Sequence, residues 1–482
     1  MPYELKSFSP TSAEEVANII VKSKKSSCPF DPFPPKLYCP LLPSIIPHLT
    51  TIFNDSLSSG VVPLAFKTAA VRPLLKKPNL DPDSPSSYRP ISLLPFLSKI
   101  LERIVASRLI AHMSTCNTDE SFQSGFKPYH STESALLTVT NDLLRTSDAG
   151  DVSLLVLLDL SAAFDTIDHS VLITRLHSFL GLKDTALAWL KSYLSSRNQS
   201  VFMNSSQSDP FEILSGVPQG SVLGPLLFRI YLLPLGTILR QLNLRFHFYA
   251  DDTQIYLSCS SSSFTEKINS FLLAYKTISQ WISANFLKLN ADKTEIMILG
   301  KPTVVARCKS ELQSLKLDNT DVPFSNKVRN LGVTFDESLH FKDHISSVFK
   351  ATFLQLRNLK HIRAHFNRQS FEVLVSAFIT SRLDYCNSLL SGLPSSTLRP
   401  LSLIQNFAAR LIFRQGKFSH VTPLLKELHW LPIPYRIDFK ILMLTYKALH
   451  SLAPSYLTSL LSPRTCTRTF RSSHSSRPTF FR

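Results

Sequence analysis

The stretch Phe246-His-Phe-Tyr-Ala-Asp-Asp-Thr-Gln-Ile-Tyr-Leu257 sets two carboxylates inside an apolar, aromatic-rich run. An uncompensated buried carboxylate costs several kcal/mol, comparable to the stability margin of a whole domain, so the pair needs a turn, a cation or solvent beside it. Apolar residues on both sides predict a β-hairpin, with strands over 246–250 and 253–257 and the Asp251-Asp252 pair as its tight turn. Upstream, Ser153-Leu-Leu-Val-Leu-Leu-Asp-Leu160 reads as a central strand whose one acid is Asp159. If the two elements share a sheet, three carboxylates converge and repel each other unless hard cations neutralise them. Mg²⁺ suits that task because it takes oxygen ligands and completes its shell with water and substrate phosphates. Two such ions about 3.5–4 Å apart activate an attacking hydroxyl and stabilise a leaving pyrophosphate. Asp-Asp taken alone is more often an ordinary hairpin turn; Asp159 is what shifts the reading towards chemistry.

The chain has 482 residues, 44% of them hydrophobic, enough for a globular core divided among two or three subdomains. Met1 is not followed by an apolar leader, and the longest apolar run, 222–239, is broken by Pro225, Arg229 and Pro234, so a soluble, unsecreted protein is expected. Seven scattered cysteines without a Cys-x-x-Cys pair argue against a zinc knuckle and a disulfide framework and read as reduced, mostly buried thiols. Of the net charge of +17, residues 345–482 carry +15, from 19 Lys and Arg against 4 Asp and Glu. Such a basic module is either a solvated surface or a contact for a polyanion such as nucleic acid.

Thr11-Ser-Ala-Glu14 has capping-box spacing and predicts a helix to about Lys24, after which Pro29, Pro32, Pro34 and Pro35 break the chain. Leu97, Ile100, Leu101, Ile104, Val105 and Leu109 recur at helical spacing, and helices are also expected over 131–144, 171–180 and 185–194. Strand-like 200–203 and 211–214 lead into a Gly- and Pro-rich turn, and the pattern beyond about 336 is almost wholly helical. The mixture lacks a strict βαβ rhythm, so an α+β fold is expected. The last twenty residues read as a disordered end.

Leu158-Asp-Leu-Ser-Ala-Ala-Phe-Asp165, Gly216-Val-Pro-Gln-Gly-Ser-Val-Leu-Gly-Pro225, Tyr249-Ala-Asp-Asp252 and Asn290-Ala-Asp-Lys-Thr294 resemble, in order, the palm motifs of the reverse transcriptases of non-LTR (LINE-type) retrotransposons. Upstream, Tyr88-Arg-Pro-Ile-Ser92 and Gln123-Ser-Gly-Phe-Lys127 resemble the fingers motifs, and downstream Arg329-Asn-Leu-Gly-Val333 resembles the turn that grips the primer end. The resemblance implies Asp159, Asp251 and Asp252 as metal ligands, Phe164 as the ring that excludes a ribose 2′-hydroxyl, and Gln219 and Gly220 as lining of the template and nucleotide site. It also implies Lys293 as general acid for the leaving pyrophosphate, Arg89 and Lys127 as holders of the triphosphate, and Leu331 and Gly332 as primer grip; Lys76 and Lys77 offer the same charge as the triphosphate holders. Lys127 stands where many relatives carry Arg, which exchanges a bidentate phosphate contact for a point charge.

The implied architecture is a right-hand polymerase, with an N-terminal extension over 1–60, fingers and an antiparallel-sheet palm over 61–335, and a basic helical thumb with C-terminal extension over 336–482. The implied reaction is RNA-directed addition of deoxynucleoside triphosphates to a primer 3′-hydroxyl, using two Mg²⁺ ions or Mn²⁺ in their place. Its partners would be RNA template, DNA primer and RNA–DNA heteroduplex, with no membrane. The family's endonuclease has no counterpart in the chain, which implies a truncated element copy; residence is expected in the nucleus or the cytoplasm, without secretion, and the nucleus is implied by family analogy alone. The alternative is a catalytically inactive remnant that only binds nucleic acid; a metal-dependent phosphohydrolase would leave the basic module unexplained.

Overall fold

A computed structural model describes residues 3–204 and 206–461, so the expected disordered end lies outside the described residues. The fold is mixed α+β, and the chain divides into two compact units that are interleaved in sequence. The first comprises Met1–Glu120, Leu160–Leu242 and Thr277–Asn290; the second comprises Ser121–Asp159, Asn243–Lys276 and Ala291–Arg482.

In the first unit, the strand Thr68–Leu75 pairs antiparallel with Tyr88–Leu93 and parallel with Arg197–Met203, which also pairs with Ser206–Gln207 and Phe211–Ile213. The helix Phe96–Cys116 buries Ile100, Leu101, Ile104, Val105 and Leu109, as its spacing predicts. It buries Glu102 as well, which its spacing does not predict. The helix Gly224–Gln241 contains the long apolar run and is buried along most of its length, with Arg229 paired to Asp119 at 2.6 Å. Helices His169–Leu180 and Asp184–Leu194 lie within two residues of their expected bounds; Asp168 caps the first by accepting the Val171 N–H at 2.8 Å. The sequence does not anticipate the helix Tyr38–Ser59, because prolines at 43 and 47 lie inside it.

The second unit is built on a four-stranded antiparallel sheet in the order Arg245–Tyr249, Asp252–Cys259, Val152–Leu158, Glu295–Leu299. Val152–Leu158 is therefore central and almost entirely buried, as a run of Leu and Val requires. Leu155, Tyr256 and Met297 join a core completed by Phe335 of the strand Val333–Asp336 and by Leu356, Phe371, Ile404 and Ile412 from the helical C-terminal part. Some of the cations there hold the helices together. Arg363 donates to the Leu411 and Ile412 carbonyls at 3.0 and 2.6 Å, closing the end of the helix Ser395–Ile412, and Arg436 forms a two-pronged pair with Asp384 at 2.8 Å. Among the described residues no helix is long and apolar enough to cross a membrane.

Candidate active site

The second unit gathers the acids. Tyr249 pairs with Asp252, so the two turn residues of the hairpin are Ala250 and Asp251, and Asp252 is the first residue of its strand. This corrects the expected Asp251-Asp252 turn by one residue. Ala250 takes the left-handed conformation at φ +56°. Asp252 begins its strand, Asp159 follows directly on the central strand Val152–Leu158, and Lys293 ends the short 3₁₀ turn Ala291–Lys293 that leads into the strand Glu295–Leu299, so the three stand at one end of the sheet. The Lys293 ammonium donates to Asp159 Oδ2 at 2.9 Å.

Asp252 is exposed by surface area, yet burial of its surroundings comes first, then the charges of Asp251 and Asp159, in pushing its carboxyl up to about 6; Lys293 opposes them. Asp251 and Asp159 thus repel Asp252, a repulsion that a bound cation would relieve. Among the described residues, however, no three His, Cys, Asp or Glu side chains form a ready-made metal cage. The donor set still fits Mg²⁺, which takes one or two carboxylates and draws its other ligands from water and phosphates. Lys293 holds part of Asp159 meanwhile.

Lys127 lies in the same unit, half-buried, after Gly125. Leu331 and Gly332, at φ +43° and +86°, are the two-residue turn between strands Lys327–Asn330 and Val333–Asp336, a conformation that suits the twist of a hairpin. The Tyr385 hydroxyl donates to the Leu331 carbonyl at 2.6 Å, and a groove of about 470 Å³ beside the turn is lined by Arg329, His344, Arg382 and Tyr385. Neither Tyr385 nor Arg382 stands in a recognisable motif.

The first unit holds Arg89, Phe164, Gln219 and Gly220. The Gly216 and Val217 N–H groups donate to the Ile167 and Phe164 carbonyls, both at 2.8 Å, locking the two motifs together. Gln219 donates to both oxygens of Asp165 at 3.1 and 2.9 Å, and its carbonyl accepts the Ser92 N–H at 2.9 Å. Gly220, at φ +121°, has no room for a side chain, because a Cβ would stand 2.6 Å from the Ser92 carbonyl oxygen. The half-buried Phe164 ring packs 4.8 Å from that of Phe228, and Arg89 is exposed on the strand Tyr88–Leu93. Glu102 anchors this loop from behind: its Oε2 accepts the Val222 and Leu223 N–H groups at 2.7 and 3.0 Å and the Tyr193 hydroxyl at 3.2 Å.

Residues 75–335, more than half of the chain, match the family described as reverse transcriptase (RNA-dependent DNA polymerase). The chain belongs to the reverse transcriptase family. Among its relatives in Drosophila melanogaster, this chain is 31% identical to the probable RNA-directed DNA polymerase from transposon BS, over 67% of its own length and 35% of the relative's. It is 28% identical to the polymerase from the mobile element jockey, over 77% of the chain and 40% of that protein. With the probable polymerase from transposon X-element the identity is also 28%, over 86% of the chain and 45% of the relative, so the chain spans less than half the length of these proteins. The chain is thus a member of the reverse transcriptase family of the non-LTR retrotransposon type. A solved structure of apo telomerase from Candida tropicalis, truncated from its C-terminal domain, is similar at a TM-score of 0.40 and 15% identity, over 60% of this chain and 59% of that one.

Proposed function

We propose that the chain is an RNA-directed DNA polymerase that extends a primer 3′-hydroxyl with deoxynucleoside triphosphates. The observation that carries this reading is the gathering of Asp252, Asp159 and Lys293 at one sheet end with Asp251 in the adjoining turn, in a chain of this family. Two Mg²⁺ ions, bound by Asp159, Asp251 and Asp252, would supply an activated hydroxyl and charge neutralisation for the leaving pyrophosphate. Lys293 then gives up Asp159 and presents its proton to the leaving oxygen. Arg89 and Lys127 hold the triphosphate, Gln219 and Gly220 bring the template base close to backbone, and the Phe164 ring bars a 2′-hydroxyl. The Leu331–Gly332 turn seats the primer end, with Arg329 and Arg382 beside it for phosphate. In this reading 61–335 is fingers and palm of a right-hand polymerase, 336–482 is a thumb and 1–60 an extension. The thumb's charge grips heteroduplex backbone, so binding weakens steeply with salt. The work would be done in the nucleus, on RNA template and DNA primer.

The test is incorporation of dTTP on poly(rA) with an oligo(dT) primer in Mg²⁺. Wild type is expected to extend the primer and Asp251→Asn to lose at least 100-fold in rate, on the order of 3 kcal/mol of transition-state stabilisation. An inactive wild type, or an unimpaired Asp251→Asn, refutes the proposal.

A further inference from the structure

Gln123 has no role in the reaction as described above, although it is almost wholly buried at 2% exposure. Its segment runs along the outer edge of the strand Arg245–Tyr249: the Phe248 N–H donates to the Phe122 carbonyl at 2.8 Å and the Ser124 N–H to the Phe248 carbonyl at 2.9 Å. From there the Gln123 side chain reaches past the end of the strand. Its Oε1 accepts the Ala250 N–H at 2.9 Å and the Gly125 N–H at 2.7 Å, while its Nε2 donates to the Ala250 carbonyl at 3.2 Å. Both polar groups of Ala250 are thus held by one amide. Ala250 is the residue in the left-handed conformation, one that an alanine adopts unwillingly, and Asp251 is the next residue. The backbone of Gly125 closes the other side, where a Cβ would stand 2.3 Å from the Ala250 nitrogen.

The segment is itself anchored. The Ser124 hydroxyl is 2.8 Å from His247 Nε2 and 2.7 Å from the Tyr456 hydroxyl, which lies 2.9 Å from that of Ser134. Tyr456 also stacks on Phe122 with ring centroids 6.3 Å apart. A clamp mounted this firmly can impose a strained turn on its neighbour.

We infer that Gln123 is a positioning residue for the carboxylates of Asp251 and Asp252, acting through the backbone of Ala250; this rests on the polymerase reading above. Carboxylates that share cations must be held to within a fraction of an ångström. A relaxed Ala250 would swing Asp251 out of place while leaving the nucleotide-lining residues Gln219 and Gly220 where they are.

The test compares wild type with Gln123→Met, which keeps the volume and loses all three hydrogen bonds. The readouts are kcat, KM for dTTP, the Mg²⁺ concentration for half-maximal rate, and the rise in melting temperature produced by millimolar Mn²⁺ without nucleic acid. Gln123→Met is expected to keep KM within about twofold, lose at least tenfold in kcat, equivalent to about 1.4 kcal/mol, require several-fold more Mg²⁺ and melt with a smaller Mn²⁺-induced rise. Wild-type kcat and Mg²⁺ dependence in Gln123→Met overturn the inference. So does a kcat deficit that disappears when the assay is cooled well below the variant's melting temperature, because that outcome is a stability effect. If Gln123→Met does not fold, Gln123→Glu, which keeps the shape and both accepting contacts but loses the donor to Ala250, decides by the same readouts. A wild type without incorporation refutes the polymerase reading; the Mn²⁺ melts then still decide the inference, with equal rises in variant and wild type overturning it.

Discussion

Glu102 offers a quantitative test of how the loop that starts at Gln219 is held. Replacing it with Ala removes the acceptor of two backbone N–H groups, those of Val222 and Leu223, and of the Tyr193 hydroxyl. Each buried donor left unsatisfied costs about 1–3 kcal/mol. The carboxylate also faces the N-terminus of the helix Gly224–Gln241, where a negative charge contributes about 0.3–1 kcal/mol, rising to about 2 when partly buried. With some relaxation, Glu102→Ala should destabilise by about 4 kcal/mol, which for a unit of about 150–250 residues lowers the melting temperature by roughly 8–16 °C. Glu102→Gln retains one accepting oxygen, so its loss should be less than half as large. The assay is thermal unfolding followed through the buried Trp189, which packs on Tyr193. Activity at a temperature where both proteins are folded should show a raised KM for dNTP, because the loop starting at Gln219 loses its rear support. A Glu102→Ala protein that melts within 2 °C of wild type refutes the reasoning.

Gly220→Ala should reduce incorporation at least tenfold while leaving the melting temperature within a few degrees, since its Cβ collides with the Ser92 carbonyl at an exposed loop; undiminished primer extension would contradict this. His247 is fully buried, and desolvation first, then the charges of His130 and Lys127, push its imidazole down to about 3. The unfolded chain therefore takes up the proton first, so this residue's stabilising contribution is complete above about pH 6.5 and is lost as pH falls towards 3. Chemical denaturation between pH 7 and 4 should show that loss, and His247→Gln should flatten it.

The strand leading into Asp159, the acidic hairpin and the glycines around Gln219 were legible in the sequence because each follows from local patterning: an apolar run, alternating residues, a close approach of backbone. The one-residue error in the hairpin turn has a tertiary cause. Asp tolerates the left-handed conformation better than Ala, so local propensity places the turn on the two acids, while Gln123 holds Ala250 there from more than a hundred residues away. Glu102 was illegible for the same reason: its partners arrive from residues 193, 222 and 223, and nothing in its own helix separates it from a solvated glutamate. The basic C-terminal part was read correctly as a charge excess but too uniformly, since Arg363 and Arg436 spend their charge on helix ends and an internal aspartate.

The central position of the strand Val152–Leu158 has a consequence for synthesis. Its two sheet neighbours, Asp252–Cys259 and Glu295–Leu299, follow it by roughly a hundred residues or more. At about 5–20 residues per second, a nascent chain carries this apolar, β-prone segment for roughly 5–20 s before either partner exists. During that interval its edges can pair with any other extended chain, including another copy of itself. The strand that leads into Asp159 is therefore also a segment exposed to aggregation during translation, and production of soluble protein should depend on slow synthesis at low temperature or on chaperones that hold the strand until the hairpin arrives.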